Sequence, residues 1–291
     1  KLDSLLTRIQ TLSDQLAAVP ALLKQFRQSV LADAVSGKLT VKWREETGNN
    51  DEWCSYLLKD ITTKIGSGST PKGGNSVYKT SGIPFVRSLN IYSDYIKYDD
   101  LAFIDMEQAK KLANVEIQEN DVLLNITGAS IGRVNIAPQA FVGGRVNQHV
   151  AIIRVKAEIA IAKYLHLLLA SPEVQKWVHG ENYGATRQAL TKNMIEMLVV
   201  QLPSIAEQTE IVRRVEALFA LADNIEQQSR AAAERVALLT QSVLAKAFRG
   251  ELSEQWRREH PDLISGDNSA AALLARIQAE RAATGKKSRR A

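Results

Sequence analysis

Apolar residues recur every three or four positions over two long stretches of the chain. Val215, Leu218, Ala222, Ile225, Ser229, Ala232, Val236, Leu239 and Val243 step by three and four in strict alternation. Leu2, Leu5, Ile9, Leu12, Leu16, Val19, Leu23, Phe26 and Val30 take the same steps 213 residues earlier. A 3.5-residue period keeps such side chains on one seam, so the pattern predicts two long helices that pair with each other in a coiled coil. The pairing residues expected from it are Leu5, Ile9, Leu12, Leu16 and Leu23 on the first helix. On the second they are Leu218, Ile225, Val236, Leu239 and Val243.

The helices are copies of one another at their ends. Residues 28–46 read QSVLADAVSGKLTVKWREE and residues 241–259 read QSVLAKAFRGELSEQWRRE, with eleven of nineteen positions identical. Gly37 and Gly250 follow the last periodic turns, where a left-handed C-cap favours glycine. Ser204, followed three residues later by Glu207, forms a capping-box signature for the second helix. From there to Phe248 the helix would be roughly 65 Å long at ~1.5 Å per residue. Pro20 should kink the first helix or remove a hydrogen bond; Ala233 holds that place in the second. Subtracting the offset puts the first copy's cap ahead of Lys1, and the chain does not open with Met, so a piece of a longer polypeptide is expected. The first helix ends near residue 37 and the second begins near 204. If the intervening segment folds compactly, those two points are close and the helices run antiparallel.

Between the helices the period shortens. GIPFVRSLNI, DVLLNI, GRVNIA and HVAIIRV read as strands between Gly, Asn, Asp and Pro punctuation, while IAKYLHLLLA and SPEVQKWVHG read as helices. The fold class expected is mixed α/β with two long helices forming an antiparallel coiled coil. Its divisions are a first helical region over 1–47, an α/β domain over 48–203 and a second helical region over 204–260. Residues 261–291 follow, with a short helix around SAAALLARIQAERA and a basic tail.

Charge changes the picture less than its total suggests. The net +5 is matched by the five cations of the last eleven residues, while residues 51–200 hold 16 Lys/Arg against 15 Asp/Glu. Composition therefore does not mark the central domain as phosphate-binding. Cys54 is the only cysteine, which excludes an internal disulfide, and it has no basic neighbour to activate it, so a buried or inert thiol is expected. No apolar run reaches the ~20 residues that a bilayer requires, and no signal peptide opens the chain.

Catalytic motifs come close and fail on context. GASIG (128–132) matches a nucleophile elbow, but strands flank it on both sides instead of a strand and a helix, so Ser130 is read as a turn residue. GSGSTPKGGN (66–75) has the glycines of a phosphate loop without the Gly-Lys-Ser/Thr that completes one. His149, His166, His179 and His260 lack zinc spacing, and His166 reads as a core residue. No S-adenosylmethionine loop, methyltransferase tetrad or nuclease arrangement is present.

What remains is a set of polar loops. Arg suits guanine O6/N7, and Asn or Gln suits adenine N6/N7, because each makes two parallel hydrogen bonds. The candidates for DNA contact are Ser69, Thr70, Lys72 and Asn75; Arg87, Ser88 and Asn90; Arg145, Asn147 and Gln148; and Tyr183, Arg187, Gln188 and Lys192.

The duplicated helix block, GIPFVRSLNI, EIQENDVLLNITGASIGRVNI, VNQHVAIIRV and ATRQALTKNMIEMLVVQLPSIAEQTEIVRRVEAL together resemble the specificity subunit of type I restriction–modification systems over nearly the whole chain. A complete subunit of that family carries two target-recognition domains. This chain has one, like a carboxy-terminal half or a half-length form. The resemblance implies a non-catalytic, cytoplasmic prokaryotic protein whose recognition domain reads one half of a bipartite double-stranded DNA target. Its helix pair would set the half-site spacing and dock adenine-methyltransferase subunits. Motor-nuclease subunits would join, and S-adenosylmethionine, ATP and Mg would sit on the partners, with no cofactor or metal on this chain and no membrane association. The competing reading is a coiled-coil adaptor that binds only proteins.

Overall fold

A computed structural model describes residues 1–49, 51–180 and 189–288. In chain order the elements are α1 (Leu2–Val35), α2 (Val41–Thr47), β1 (Cys54–Leu57), β2 (Thr62–Ser67), β3 (Ile83–Val86), β4 (Ala102–Ile104), α3 (Met106–Lys111), β5 (Val122–Asn125), β6 (Val134–Ile136), β7 (Arg145–Val146) and β8 (Val150–Val155). There follow α4 (Ala162–Ala170), α5 (Pro172–Gly180), α6 (Lys192–Glu196), β9 (Val199–Leu202), α7 (Ile205–Phe248), α8 (Glu254–Glu259) and α9 (Ala270–Ser288). The chain is mixed α/β with two long helices, as the periodicity requires.

Two compact units divide it, one made of Leu22–Asp223 and one of Lys1–Ala21 with Asn224–Ala291. The unit boundaries therefore cut through both long helices instead of falling near 48 and 203. The reason lies in the core: Val30, Leu31 and Ala34 of α1 and Ile211, Val212 and Val215 of α7 are buried in one apolar cluster with α4, α5 and one face of a sheet.

That sheet is the centre of the first unit. Its order is β2-β8-β5-β6, antiparallel throughout. Both faces are buried, and alternate residues feed different cores. Val122 and Leu124 join Ala151 and Ile153 on the helix side, while Leu123 joins Val150 and Ile152 in a second cluster with β3, β4 and α3. Burial on both sides accounts for the nearly unbroken apolar runs of β5 and β8. A second sheet, β4-β3-β7, pairs β3 and β7 in parallel, and β1 pairs with β9 where the chain enters and leaves the domain.

Within the same unit α1 and α7 run in opposite directions. Arg27 Nη2 lies 2.6 Å from Asp223 Oδ1, Arg214 Nη1 donates to the Leu39 carbonyl at 2.9 Å, and Arg44 Nη1 lies 2.5 Å from Glu207 Oε1. Residue numbers rise along one segment as they fall along the other. In the other unit, Ser13, Leu16, Ala17 and Pro20 share a groove with Glu226, Ser229, Ala233 and Ala237. Pro20 does not end α1. It withholds the N–H that the Leu16 carbonyl would otherwise accept.

The seam departs from a strict heptad. Leu12, Ile225 and Leu239 are 45%, 41% and 44% exposed, and Phe26 is exposed as well, so these expected seam residues face outward. Ser13, Arg27, Glu226 and Thr240 are half-buried in their place. A straight helix has 3.6 residues per turn, so a 3.5-residue pattern drifts ~20° per heptad and the buried stripe moves on by one residue. The stripe moves identically in both copies: positions 9, 13, 16, 23, 27 and 30 of α1 match 222, 226, 229, 236, 240 and 243 of α7 at the offset of 213.

Both expected C-cap glycines are left-handed, Gly37 at φ 74° and Gly250 at φ 77°. The capping box is only half made. Ser204 Oγ accepts from the Glu207 N–H at 3.5 Å. The Glu207 side chain instead turns to Thr40 Oγ1 at 2.6 Å, Arg44 Nη1 and Trp53 Nε1 at 3.2 Å, because its buried carboxylate requires charged and polar donors. Gln208 is also fully buried, bridging the Ile159 and Pro203 carbonyls and the Ile161 N–H. Cys54, expected to be buried or inert, is exposed. No described helix is long and apolar enough to cross a membrane.

Candidate nucleic-acid interface

One end of the central sheet collects the polar loops. β2 and β5 finish there and β8 begins there, since Ser67 is in register with Ala151 and Asn125 with Val150. β3 ends beside them, because Val86 is level with Val146. The segments after Ser67, Val86 and Asn125 and the turn before Val150 therefore emerge together.

Backbone hydrogen bonds stitch them into one edge. Gly68 N donates to Asn147 O, Asn147 N to Val86 O, Ile126 N to His149 O and Leu190 N to Ile126 O, at 2.8–3.1 Å. Gly68 is required at this crossing, since a Cβ there would lie 1.8 Å from the Val146 carbonyl oxygen. Thr127 forms an isolated antiparallel bridge with Ala189, which adds that residue to the same edge.

A side-chain relay crosses the edge. Thr70 Oγ1 donates to Gln148 Oε1, which leaves the amide nitrogen of Gln148 as donor to His149 Nε2 at 3.0 Å. A neutral His149 then carries its proton on Nδ1 and donates to Thr127 Oγ1 at 2.5 Å. Thr70 and Gln148 are exposed, and Ser69 and Lys72 are exposed on the same loop. A pre-set row of amide, imidazole and hydroxyl groups suits hydrogen bonding to base edges and phosphates.

Other candidates serve the fold. Arg145 is buried, and its guanidinium is held by Glu116 Oε2 at 2.8 Å and by the carbonyls of Ala109, Gly143 and Gly144. Asn90 is fully buried, accepting from the Arg87 N–H and donating to the Lys97 carbonyl. Asn147 is buried and accepts from the His149 N–H. These three, expected to meet DNA directly, hold the loops that carry exposed neighbours. Their residue types match a base reader, but the burial that engages them internally comes from the strands around them.

Arg87 is half-buried, stacked over Tyr78 at 5.2 Å and bound to the Asp100 carbonyl at 2.5 Å. Ser88 gives its carbonyl to Asn125 Nδ2. Asn75 lies in the short turn Gly74–Val77. Lys192 is exposed at the start of α6, 3.3 Å from Glu196, and lines a groove with Lys59, Thr63 and Lys64. Tyr183, Arg187 and Gln188 lie outside the described residues.

One cluster escaped the sequence reading. Arg133 packs 4.3 Å over the Tyr92 ring, and Tyr92 stacks on Tyr95 with centroids 4.3 Å apart and planes 11° apart. Asn135 Nδ2 fixes this loop by donating to the Tyr92 carbonyl at 2.8 Å. Partial desolvation, and then the hydrogen bond with the Tyr92 hydroxyl, raise the Tyr95 pKa. The signal was present as the aromatic-interleaved run NIYSDYIKY over 90–98. Among the described residues no group of three or more His, Cys, Asp or Glu is placed to hold a metal. GASIG forms a turn between β5 and β6.

A family profile described as "Type I restriction modification DNA specificity domain" matches residues 50–235. The specificity subunit of the type I restriction enzyme EcoBI of Escherichia coli is 40% identical over 302 residues, covering 99% of this chain and 62% of that protein. The EcoKI specificity subunit of Escherichia coli strain K12 is 37% identical over 295 residues with the same coverage. Among solved structures, the HsdS subunit from Thermoanaerobacter tengcongensis shares the fold at a TM-score of 0.52 and 19% identity, over 86% of this chain and 56% of that one. The chain thus spans about three fifths of the length of these relatives.

Proposed function

The chain belongs to the type I restriction–modification DNA specificity family, and from that premise we propose that its Leu22–Asp223 unit reads one half of a bipartite double-stranded DNA target. It is a specificity component, and the bond-making belongs to partner subunits. The observation that carries the reading is the loop edge, where Thr70, Gln148, His149 and Thr127 form one relay on segments from three separate loops. The exposed members of this row, Thr70 and Gln148, meet base edges, while buried Arg145, Asn90 and Asn147 hold its shape. Ser69 and Lys72, with Tyr183, Arg187 and Gln188, contribute further contacts in this reading. The helix pair sets the distance between half-sites and docks adenine-methyltransferase subunits. Motor-nuclease subunits complete the complex, with S-adenosylmethionine, ATP and Mg on the partners, in the prokaryotic cytoplasm.

The near-neutral balance of residues 51–200 supports a division of labour in which partners supply most phosphate contacts. Counterion release makes affinity fall with salt in proportion to the phosphates neutralised. The chain alone should therefore bind DNA weakly with a shallow salt dependence, and both affinity and slope should rise when methyltransferase subunits are added. Footprinting and salt titration test this. Tight, steeply salt-dependent binding by the isolated chain, or no sequence-specific footprint with the partners present, contradicts it.

A further inference from the structure

The duplication repeats a side-chain device as well as a helix, and the two copies differ in one respect. In the first copy Arg44 Nη1 donates to Thr40 Oγ1 at 3.2 Å, beside left-handed Gly37 whose carbonyl is 3.4 Å from that hydroxyl. Arg44 and Thr40 together grip Glu207 Oε1 at 2.5 and 2.6 Å. The offset of 213 turns Gly37, Thr40 and Arg44 into Gly250, Ser253 and Arg257. These make the same internal contacts: Arg257 Nη1 donates to Ser253 Oγ at 2.6 Å, and Ser253 Oγ donates to the Gly250 carbonyl at 3.2 Å. Arg257 Nη1 also donates to the Gly250 carbonyl at 2.7 Å. No carboxylate among the described residues pairs with Arg257. Its neighbours Glu254 and Glu251 pair with Arg258 and Arg249.

The apolar surroundings differ in the same sense. Val30, Leu31 and Ala34 are buried in the core of their unit, with Val35 packed against it. Their counterparts Val243, Leu244 and Ala247 are half-buried, and Phe248, at the place of Val35, is 90% exposed. Trp256, at the place of Trp43, is exposed.

We propose that Gly250, Ser253 and Arg257 form a second carboxylate socket, which takes the glutamate at the opening of a long helix of the kind this chain presents at Ser204–Gln208. The first copy shows the occupied state. A helix N-terminus brings a buried Glu, its Oε1 replaces the glycine carbonyl as the arginine's acceptor, and apolar residues beside it cover the exposed phenylalanine. Arginine and hydroxyl together match one carboxylate by charge and by hydrogen-bond geometry. The relatives, of which this chain spans 62%, are long enough to contain such a helix opening elsewhere in their sequence. The inference stands apart from the reading of the loop edge and involves no DNA.

The probe is a labelled, hydrocarbon-stapled helical peptide of residues 202–219, titrated into the full chain and followed by fluorescence anisotropy. Binding should occur, and should weaken at least tenfold with Arg257→Gln in the chain or Glu207→Gln in the peptide. Ser253→Thr, which restores the residue type of the first copy, should keep or tighten it. Arg258→Gln removes a neighbouring exposed charge and should leave it unchanged. Circular dichroism of each variant checks its folding. No binding, or binding weakened as much by Arg258→Gln as by Arg257→Gln, overturns the proposal.

Discussion

Arg44 and Glu207 lie 163 residues apart in the chain and 2.5 Å apart in space. The carboxylate is fully buried, and Thr40 and Trp53 complete its hydrogen bonding. The contact joins the segment just after α1 to the first turn of α7, so the α/β domain enters and leaves through a closed gate. It also fixes the antiparallel direction of the two helices within that unit.

Removing the charge should therefore weaken the whole unit. Glu207→Gln leaves Arg44 facing a neutral amide in a largely desolvated site, and breaking such a pair costs about 3 kcal/mol. Urea unfolding should show that loss. A double-mutant cycle with Arg44→Met should return a coupling energy of about 1 kcal/mol or more. A loss under about 0.5 kcal/mol, the usual range for a surface substitution, would show that the pair does not hold the gate.

The displaced seam gives a second test. Val236 is buried and Leu239 is 44% exposed, although the heptad pattern places both on the seam. Val236→Asp should lower the melting temperature by several degrees, since an unpaired charge is forced into an apolar contact. Leu239→Asp should change it little. Equal effects would restore the strict heptad.

The His166 ring supplies a pH test. Burial lowers its pKa from the usual 6.5, against the raising effect of the Val134 backbone, and its Nε2 has no partner. The unfolded chain then binds the proton more readily, so stability rises with pH across the window between the lowered value and 6.5. Above that window the contribution is complete, and it is lost as pH falls through it. His166→Gln should flatten the slope of stability against pH just below 6.5. Glu210, held at about 2 chiefly by Arg213 and also by Arg214, acts only at lower pH, between its usual 4.5 and about 2, where stability is lost as pH falls. An unchanged slope in the His166 variant would show that the ring does not titrate as its burial requires.

Much of this architecture was legible in the sequence because it rests on local signals. The helices announced themselves by period, their ends by Gly37 and Gly250, and the domain by strand patterns. The α7 cap was half right: Ser204 caps the helix, but only the fold could show Glu207 drawn away to Arg44. The site was less legible because reader and scaffold use the same residue types. Arg145 of β7 and Gln148 are polar residues three positions apart, and burial alone separates the buried brace from the exposed member of the relay. Arg133 on Tyr92 needed two segments about forty residues apart in sequence to meet, and was readable only as an aromatic-rich run.

The central claim is that the loop edge reads bases, and methylation mapped at single-base resolution tests it most directly. Cells carrying this chain with the methyltransferase subunits proposed to dock on it should show a bipartite adenine-methylated motif. Thr70→Ala and Gln148→Ala, at exposed positions that leave the melting temperature unchanged, should relax or alter one half of that motif while the other half and the spacer persist. An identical motif in both variants, or no bipartite motif with the unaltered chain, would contradict the account.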